Sequence, residues 1–172
     1  GDARVALKAM ADGDGDDFGD ESPGSGVVAG TDCDDVVLTT YPTAPELCSD
    51  AVDNDCDGAV DETSASDAPT WYYDGDGDNY GDPAISQNDC EQPADYVGLS
   101  TDCDDSDPLT YPGAALLDDA AACMTDADLD GFGDVSPIEG VTAGTDCDDG
   151  RDATNPSAIE YCNDEDDDCD GV

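Results

Sequence analysis

Forty-seven acidic residues stand against three basic ones in a chain of 172, a formal net charge of −44, and there is no histidine. A compact body carrying that much uncompensated negative charge repels itself apart. Length alone allows one ordinary domain. The charge demands either a disordered chain or a fold whose counter-charge is bound metal. It also excludes whole classes of function. Contact with nucleic acid or with an anionic membrane surface needs Lys and Arg to meet phosphate. Histidine acid–base chemistry is absent, and with it the usual zinc or copper ligand.

Composition separates the two remaining readings. Disordered acidic segments avoid cysteine and aromatics, yet this chain has 9 Cys, 7 Tyr, 2 Phe and one Trp. The acids are mostly Asp interleaved with Gly, which favours tight turns that wrap a cation. So many cysteines in a short chain imply an oxidising compartment, and hence an extracellular or cell-surface location. No apolar run approaches the ~18 residues of a membrane span, and no signal peptide is visible. The expectation is therefore a mature or excised piece of a secreted protein.

Internal repetition organises the chain. Residues 12–20 read Asp-Gly-Asp-Gly-Asp-Asp-Phe-Gly-Asp, residues 74–82 Asp-Gly-Asp-Gly-Asp-Asn-Tyr-Gly-Asp, and residues 126–134 Asp-Ala-Asp-Leu-Asp-Gly-Phe-Gly-Asp. Each is followed by Thr-Asp-Cys-Asp-Asp, at 31–35, 101–105 and 145–149, and then by Pro42, Pro112 or Pro156. The second copy is longer between these elements, and its insertion brings in Cys90. A closing element, Asp-Asn-Asp-Cys-Asp-Gly at 53–58 and Asp-Asp-Asp-Cys-Asp-Gly at 166–171, is replaced in the middle copy by Leu116–Ala122.

The domain reading is an N-terminal segment 1–9 joining to a preceding unit, repeat 1 at 10–62, and a linker at 63–71. Repeat 2 then spans 72–121 with a degenerate end, and repeat 3 spans 122–172, truncated inside its closing motif. Joined end to start, Asp-Cys-Asp-Gly-Val-Gly-Asp would mimic repeat 1's own continuation, so the expectation is one period of a longer array or a subunit repeating head to tail.

No window carries a helical apolar stripe over three turns. Short strands are expected at Gly26–Ala29, Val36–Thr40, Tyr96–Leu99 and Val141–Ala143, with Arg4–Met10 a strand or a helical turn. Phe18, Tyr41, Trp71, Tyr80, Tyr111, Phe132 and Tyr161 are too few for one sizeable core. The fold class expected is mostly irregular: calcium-organised, loop-rich tandem repeats with a few short β-strands and small disulfide-stapled units, an extended rod rather than a globule.

A calcium loop supplies oxygens from alternating residues of a tight turn. Positions 1, 3 and 5 are Asp12, Asp14 and Asp16 in the first copy, Asp74, Asp76 and Asp78 in the second, and Asp126, Asp128 and Asp130 in the third. Position 7, a carbonyl ligand in such loops, is Phe18, Tyr80 or Phe132, and position 9 is Asp20, Asp82 or Asp134. Gly131 stands where the third loop must turn sharply. Position 12 carries Pro23, Ile85 or Pro137 in place of a bidentate Glu, so an EF-hand with flanking helices is disfavoured. Asp34 and Asp35, Asp104 and Asp105, and Asp148 and Asp149 are expected to complete the spheres or to build adjacent sites. The closing elements offer Asp53, Asp55 and Asp57 with Asp61, and Asp166, Asp168 and Asp170. All-oxygen, carboxylate-rich sites suit several Ca²⁺ ions better than Mg²⁺, zinc or copper.

Each Cys-Asp-Asp cysteine has a candidate disulfide partner downstream: Cys33 with Cys48, Cys103 with Cys123, and Cys147 with Cys162. Cys56 and Cys90 then pair across the linker, and Cys169 is left over. Each such loop is worth ~3 kcal/mol in the chain-entropy model. A rival scheme joins Cys48 to Cys56 and Cys90 to Cys103, and spacing alone does not choose between them.

The run 74–82, Cys90-x-x-Pro-x-x-Tyr-Val, Asp-Cys-Asp-Asp, Tyr-Pro-Gly-Ala at 111–114 and Asp-Asn-Asp-Cys-Asp-Gly resemble the MopE-type metal-binding repeat, which occurs in tandem in secreted and cell-surface bacterial proteins. The logic is also similar to thrombospondin type 3 repeats, calcium-wrapped and nearly devoid of regular structure. The family's name implies copper, but with no His and a single Trp (Trp71) only the acidic repeat carries over.

The function expected is a calcium-stabilised extracellular structural repeat protein, a stalk or head-to-tail filament segment. The alternative is a calcium-dependent cell-surface adhesion or ligand-binding module, in which exposed Tyr and Trp71 form a contact patch. Without His or a Ser-His or Cys-His pairing, no enzyme is expected. Thr39, Thr40, Thr43 and Ser136 near prolines are possible O-glycan positions. Self-association is expected, and nucleic acid and membrane-span partners are not.

Overall fold

The computed structural model describes residues 10–171. Among them there is no helix, so none is long and apolar enough to cross a membrane. Five short strands occur: β1 Thr70–Tyr73, β2 Ser86–Asn88, β3 Tyr96–Val97, β4 Thr110–Pro112 and β5 Cys123–Thr125. The first three form a sheet in the order β2-β1-β3, with Tyr72 opposite Val97 and Tyr73 opposite Tyr96. β4 and β5 pair antiparallel, Tyr111 opposite Met124, and the Thr110 and Thr125 hydroxyls meet at 2.8 Å across the pair.

Only β3 lies within a stretch expected as a strand. Val36–Thr40 instead forms consecutive turns, because Val37 N–H reaches back to Asp34 C=O and Thr40 N–H to Val37 C=O. Val141–Ala143 is irregular, and of Gly26–Ala29 only Val28 pairs, in a single bridge to Met10. Most of Arg4–Met10 lies outside the described residues. β1 begins inside the expected linker, where Trp71, Tyr72 and Tyr73 supply the aromatic residues that strands favour.

Packing divides the chain into two compact units. One runs to Pro69 and takes in Asn88–Glu91; the other comprises Thr70–Gln87 and everything from Gln92 on. Apolar residues do not dominate either interior. Ala44, Ala65, Ala115, Met124 and Phe132 are the buried hydrophobic residues described, against ten buried polar or charged ones. Aromatics work in pairs instead: Phe18 stacks on Tyr41 with ring centroids 5.3 Å apart, Tyr80 stacks on Tyr111 at 5.4 Å, and Tyr73 meets Tyr96 edge-on.

Four disulfides do the rest: Cys33–Cys56, Cys48–Cys90, Cys103–Cys123 and Cys147–Cys169. Cys103–Cys123 is as expected. Cys33 does not pair with Cys48, Cys147 does not pair with Cys162, and Cys56 does not pair with Cys90; the free thiol is Cys162, not Cys169. The reason lies in the closing element. Cys56 and Cys169 sit in left-handed turns (φ 59° and 57°) that bring each sulfur to 3.1 Å from the N–H of Cys33 or Cys147. A linear count of residues does not see that return.

Two close backbone approaches prepare the site. A Cβ at Gly30 would lie 1.9 Å from Gly19 O, and one at Gly144 would lie 2.2 Å from Gly133 O. Only glycine permits these crossings. They sit beside the parallel bridges Asp20–Asp32 and Asp134–Asp146, which carry the aspartate preceding each motif cysteine back onto its loop.

Candidate metal centres

All five aspartate loops curl in the same way. Positions 4 and 6 are left-handed in each: Gly15 and Asp17, Gly77 and Asn79, Leu129 and Gly131, Cys56 and Gly58, Cys169 and Gly171. Left-handed residues at alternating positions keep turning the backbone one way, so that the carboxylates at 1, 3 and 5 converge. The ligand oxygens of Asp12, Asp14 and Asp16 lie within 4.8 Å of one another, as do those of Asp53, Asp55 and Asp57.

Backbone N–H groups hold the carboxylates by one oxygen. Asp14 Oδ1 accepts from Asp16, and Asp16 Oδ1 from Phe18; Asp76 and Asp78 do the same for Asp78 and Tyr80, and Asp128 and Asp130 for Asp130 and Phe132. These are side-chain-to-backbone turns natural to Asp. The second oxygens are left buried. Asp14, Asp16, Asp76, Asp78 and Asp128 each have a buried Oδ2 without a hydrogen-bond partner. So do Asp32, Asp102 and Asp146, whose Oδ1 atoms accept N–H from Asp34, Asp104 and Asp148.

Asp32, Asp102 and Asp146 are the residues that sequence reasoning missed. They are 0%, 6% and 0% exposed, and each stands in the charge field of its Asp loop. The signal was available, because all three precede the cysteine in Thr-Asp-Cys-Asp-Asp. Of the pair after the cysteine, the second member does touch the loop. Asp35, Asp105 and Asp149 Oδ1 accept N–H from Gly13, Gly75 and Ala127 at 2.9, 2.7 and 3.0 Å. As for the first member, Asp34 C=O accepts from Val36 and Val37, Asp104 Oδ1 accepts from the Ser106 hydroxyl, and Asp148 faces Arg151 at 3.6 Å. At position 9, Asp20, Asp82 and Asp134 accept N–H from Ser22, Ala84 and Ser136, each at 2.7 Å.

The closing loop of repeat 1 draws in two further acids. Glu46, 4% exposed, accepts N–H from Asn54 and Asp55, and its carboxylate lies within 4.8 Å of those of Asp55 and Glu62. Glu62 Oε2 is buried without a partner. Asp61, expected as a ligand there, accepts the Asp50 N–H on Oδ1. The loop of Asp166, Asp168 and Asp170 repeats these bonds: Gly171 N–H reaches Asp166 Oδ2 as Gly58 N–H reaches Asp53 Oδ2, and Glu160 accepts from Asp167.

Burial without counter-charge moves the acidities. Burial first, then the charges of neighbouring aspartates, pushes Asp32, Asp76, Asp102 and Asp128 up, and carries Asp78, Asp146 and Asp149 to about 6. Arg151 is the one basic side chain among the described residues, and it is half exposed on Asp148 and Glu165. Among the described residues no other basic side chain stands near the loops. Buried, convergent and partnerless carboxylate oxygens are costly alone, and they fit a cation bound by oxygen.

The family model Cu-binding MopE, described as a "Putative metal-binding motif", matches residues 32–62, 102–117 and 146–172. Its segments begin on Asp32, Asp102 and Asp146. No curated protein and no solved structure matches the chain.

Proposed function

Because three segments of the chain carry the MopE-type metal-binding motif, we propose that it is a calcium-stabilised extracellular structural repeat protein, part of a stalk or of a head-to-tail filament. The observation that carries this reading is the set of eight buried aspartate Oδ2 atoms without partners, five in the three loops and three on the aspartates that precede the motif cysteines. Asp14, Asp16 and Asp32 would hold one ion, Asp76, Asp78 and Asp102 a second, and Asp128, Asp130 and Asp146 a third. Glu46, Asp53, Asp55, Asp57 and Glu62 would hold a fourth. Bound cations would supply the positive charge that lets these carboxylates stay ionised and close together.

The donor set supports calcium over copper. It is all oxygen, there is no His, and eight of the nine cysteines are in disulfides. The disulfides also support an oxidising, extracellular setting. The reading assigns no catalytic role. Pairing of Phe18 with Tyr41 and of Tyr80 with Tyr111 favours the structural reading over the adhesion module, because these rings cover one another.

Titration calorimetry with Ca²⁺ and with Cu²⁺, alongside small-angle scattering in calcium and in EGTA, tests the proposal. Several calcium sites and an extended particle that loses its order in EGTA are expected. Tighter copper than calcium binding, or a particle indifferent to EGTA, would refute it.

A further inference from the structure

Eight Asp-Gly steps occur in the chain, seven inside the aspartate loops and the eighth at Asp149–Gly150. Such a step can isomerise without any partner, because glycine has no side chain to keep its nitrogen away from the neighbouring carboxyl. To react, that nitrogen must shed its proton. In the seven loop steps the glycine N–H is held by a carboxylate other than that of the aspartate before it. Gly13 and Gly75 donate to Asp35 and Asp105, at 2.9 and 2.7 Å, and Gly15 and Gly77 to Asp12 and Asp74, both at 2.7 Å. Gly58, Gly131 and Gly171 donate to Asp53, Asp126 and Asp166, each at 3.0 Å. The aspartates are turned away as well: Asp14, Asp57, Asp76 and Asp130 Oδ1 accept the N–H two residues on, past the glycine nitrogen.

Asp149–Gly150 is built differently. Gly150 N–H reaches the C=O of Asp148 at 2.7 Å, across a three-residue turn centred on Asp149. That acceptor is neutral, and bonds to an ionised acceptor are roughly twice as strong. Gly150 is exposed, and a Cβ placed on it would meet nothing nearer than Asp148 Oδ1 at 3.8 Å. Asp149 Oδ1 accepts the Ala127 N–H at 3.0 Å, a bond that ties the cysteine motif to the third loop. Seven steps are thus closed by carboxylates, and the eighth is open.

We propose that Asp149–Gly150 is a site of spontaneous covalent modification, conversion of Asp149 to isoaspartate, from which the loops' own hydrogen bonds spare the other seven steps. The Gly150 nitrogen forms a bond to Asp149 Cγ and gives up its proton, while the carboxyl loses its hydroxyl, so that one water leaves and a five-membered imide closes. Water then adds back to either ring carbonyl. Opening at the backbone carbonyl leaves the chain running through the former side chain, with one extra methylene in the main chain and no change in mass. The carboxylate that Ala127 N–H meets is thereby displaced, and the third loop loses its tie to the motif. The site does not depend on which ion fills the loops.

The test ages the full, disulfide-intact chain at neutral pH in calcium, and locates isoaspartate by electron-transfer fragmentation of its peptides. Asp149 is expected to accumulate roughly tenfold more isoaspartate than any loop aspartate, the effect of the ~1.4 kcal/mol that separates a bond to a charged acceptor from one to a neutral acceptor. Equal accumulation, or a loop step that reacts first, overturns the proposal. A parallel incubation of the reduced chain in urea is expected to level the eight steps. Preference for Asp149 that survives in urea also overturns it, because the selectivity would then belong to the local sequence and not to the fold.

Discussion

The side-chain amide of Asn155 donates a 2.7 Å hydrogen bond to Asp130 Oδ2. The corresponding oxygens of the first two loops, on Asp16 and Asp78, have no partner. Tyr41 and Tyr111, the counterparts of Asn155 after the buried Thr40 and Thr110, stack on Phe18 and Tyr80. The third loop is thus wired differently from the others. Asn155→Tyr releases Asp130 and offers a ring to Phe132. Calorimetry is expected to show the third site tightening by roughly tenfold, with the other sites unchanged.

Asp102 contributes both repulsion and ligation. Asp102→Asn keeps the hydrogen-bond geometry toward Asp104 N–H but removes a buried charge that helps to push the Asp78 carboxyl up from its ordinary pKa. The variant is expected to melt higher than the parent after metal removal and lower in calcium, with second-site affinity falling by at least ~10-fold. Thermal melts under both conditions check the inversion. A variant that moves the same way in both would remove Asp102 from the site.

Leu129 is held at φ 67° and is 70% exposed. Gly15 and Gly77 occupy the same position in the first two loops. A left-handed leucine costs ~1–2 kcal/mol relative to a residue without Cβ. Leu129→Gly is therefore expected to raise stability by ~1 kcal/mol in urea titration, with little packing to lose. A drop of that size would show that Leu129 packs in a way its exposure does not register.

Acidity has opposite effects on the two states. Asp78, Asp146 and Asp149 stand at about 6 in the fold because of burial and then neighbouring charge, above the ~3.9 of an unfolded chain. The metal-free fold binds the extra protons, so the stability these groups contribute is fully present below pH ~4 and is lost as pH rises through about 6. With calcium bound, protons compete with the ion, and acidification weakens the fold instead. Urea midpoints at pH 7.5 and 4.5, measured in calcium and after passage over chelating resin, are expected to shift in opposite directions.

Much of the site was legible because its ligands lie in one short run. Asp12, Asp14 and Asp16 are placed by their own spacing, and no tertiary knowledge is needed to group them. Asp32 is different. Its approach depends on the Gly19–Gly30 backbone crossing, a contact that no local pattern announces. The same holds for Cys56, whose left-handed turn reaches Cys33 past the nearer Cys48. β4 and β5 escaped notice because three residues each leave no alternation to read, and their pairing rests on the Thr110–Thr125 contact and the Cys103–Cys123 bond. Glu46 and Glu62 stand outside the aspartate pattern and are gathered only by the fold of the closing loop.

Asp118 sits in the stretch where repeat 2 has lost its closing element, yet its carboxylate accepts the N–H of Gly133 and of Thr145, both at 2.9 Å, and the Thr145 hydroxyl. The tail of one repeat thus fastens the loop of the next to its own cysteine motif, as Asn88–Glu91 leaves the sequence neighbours of Cys90 to complete the unit before it. The sequence pattern and the packed units are therefore out of phase. Recombination or engineering that cuts at the sequence boundaries would sever these borrowed attachments, whereas shifted cuts that keep each borrowed segment with its host would leave whole modules.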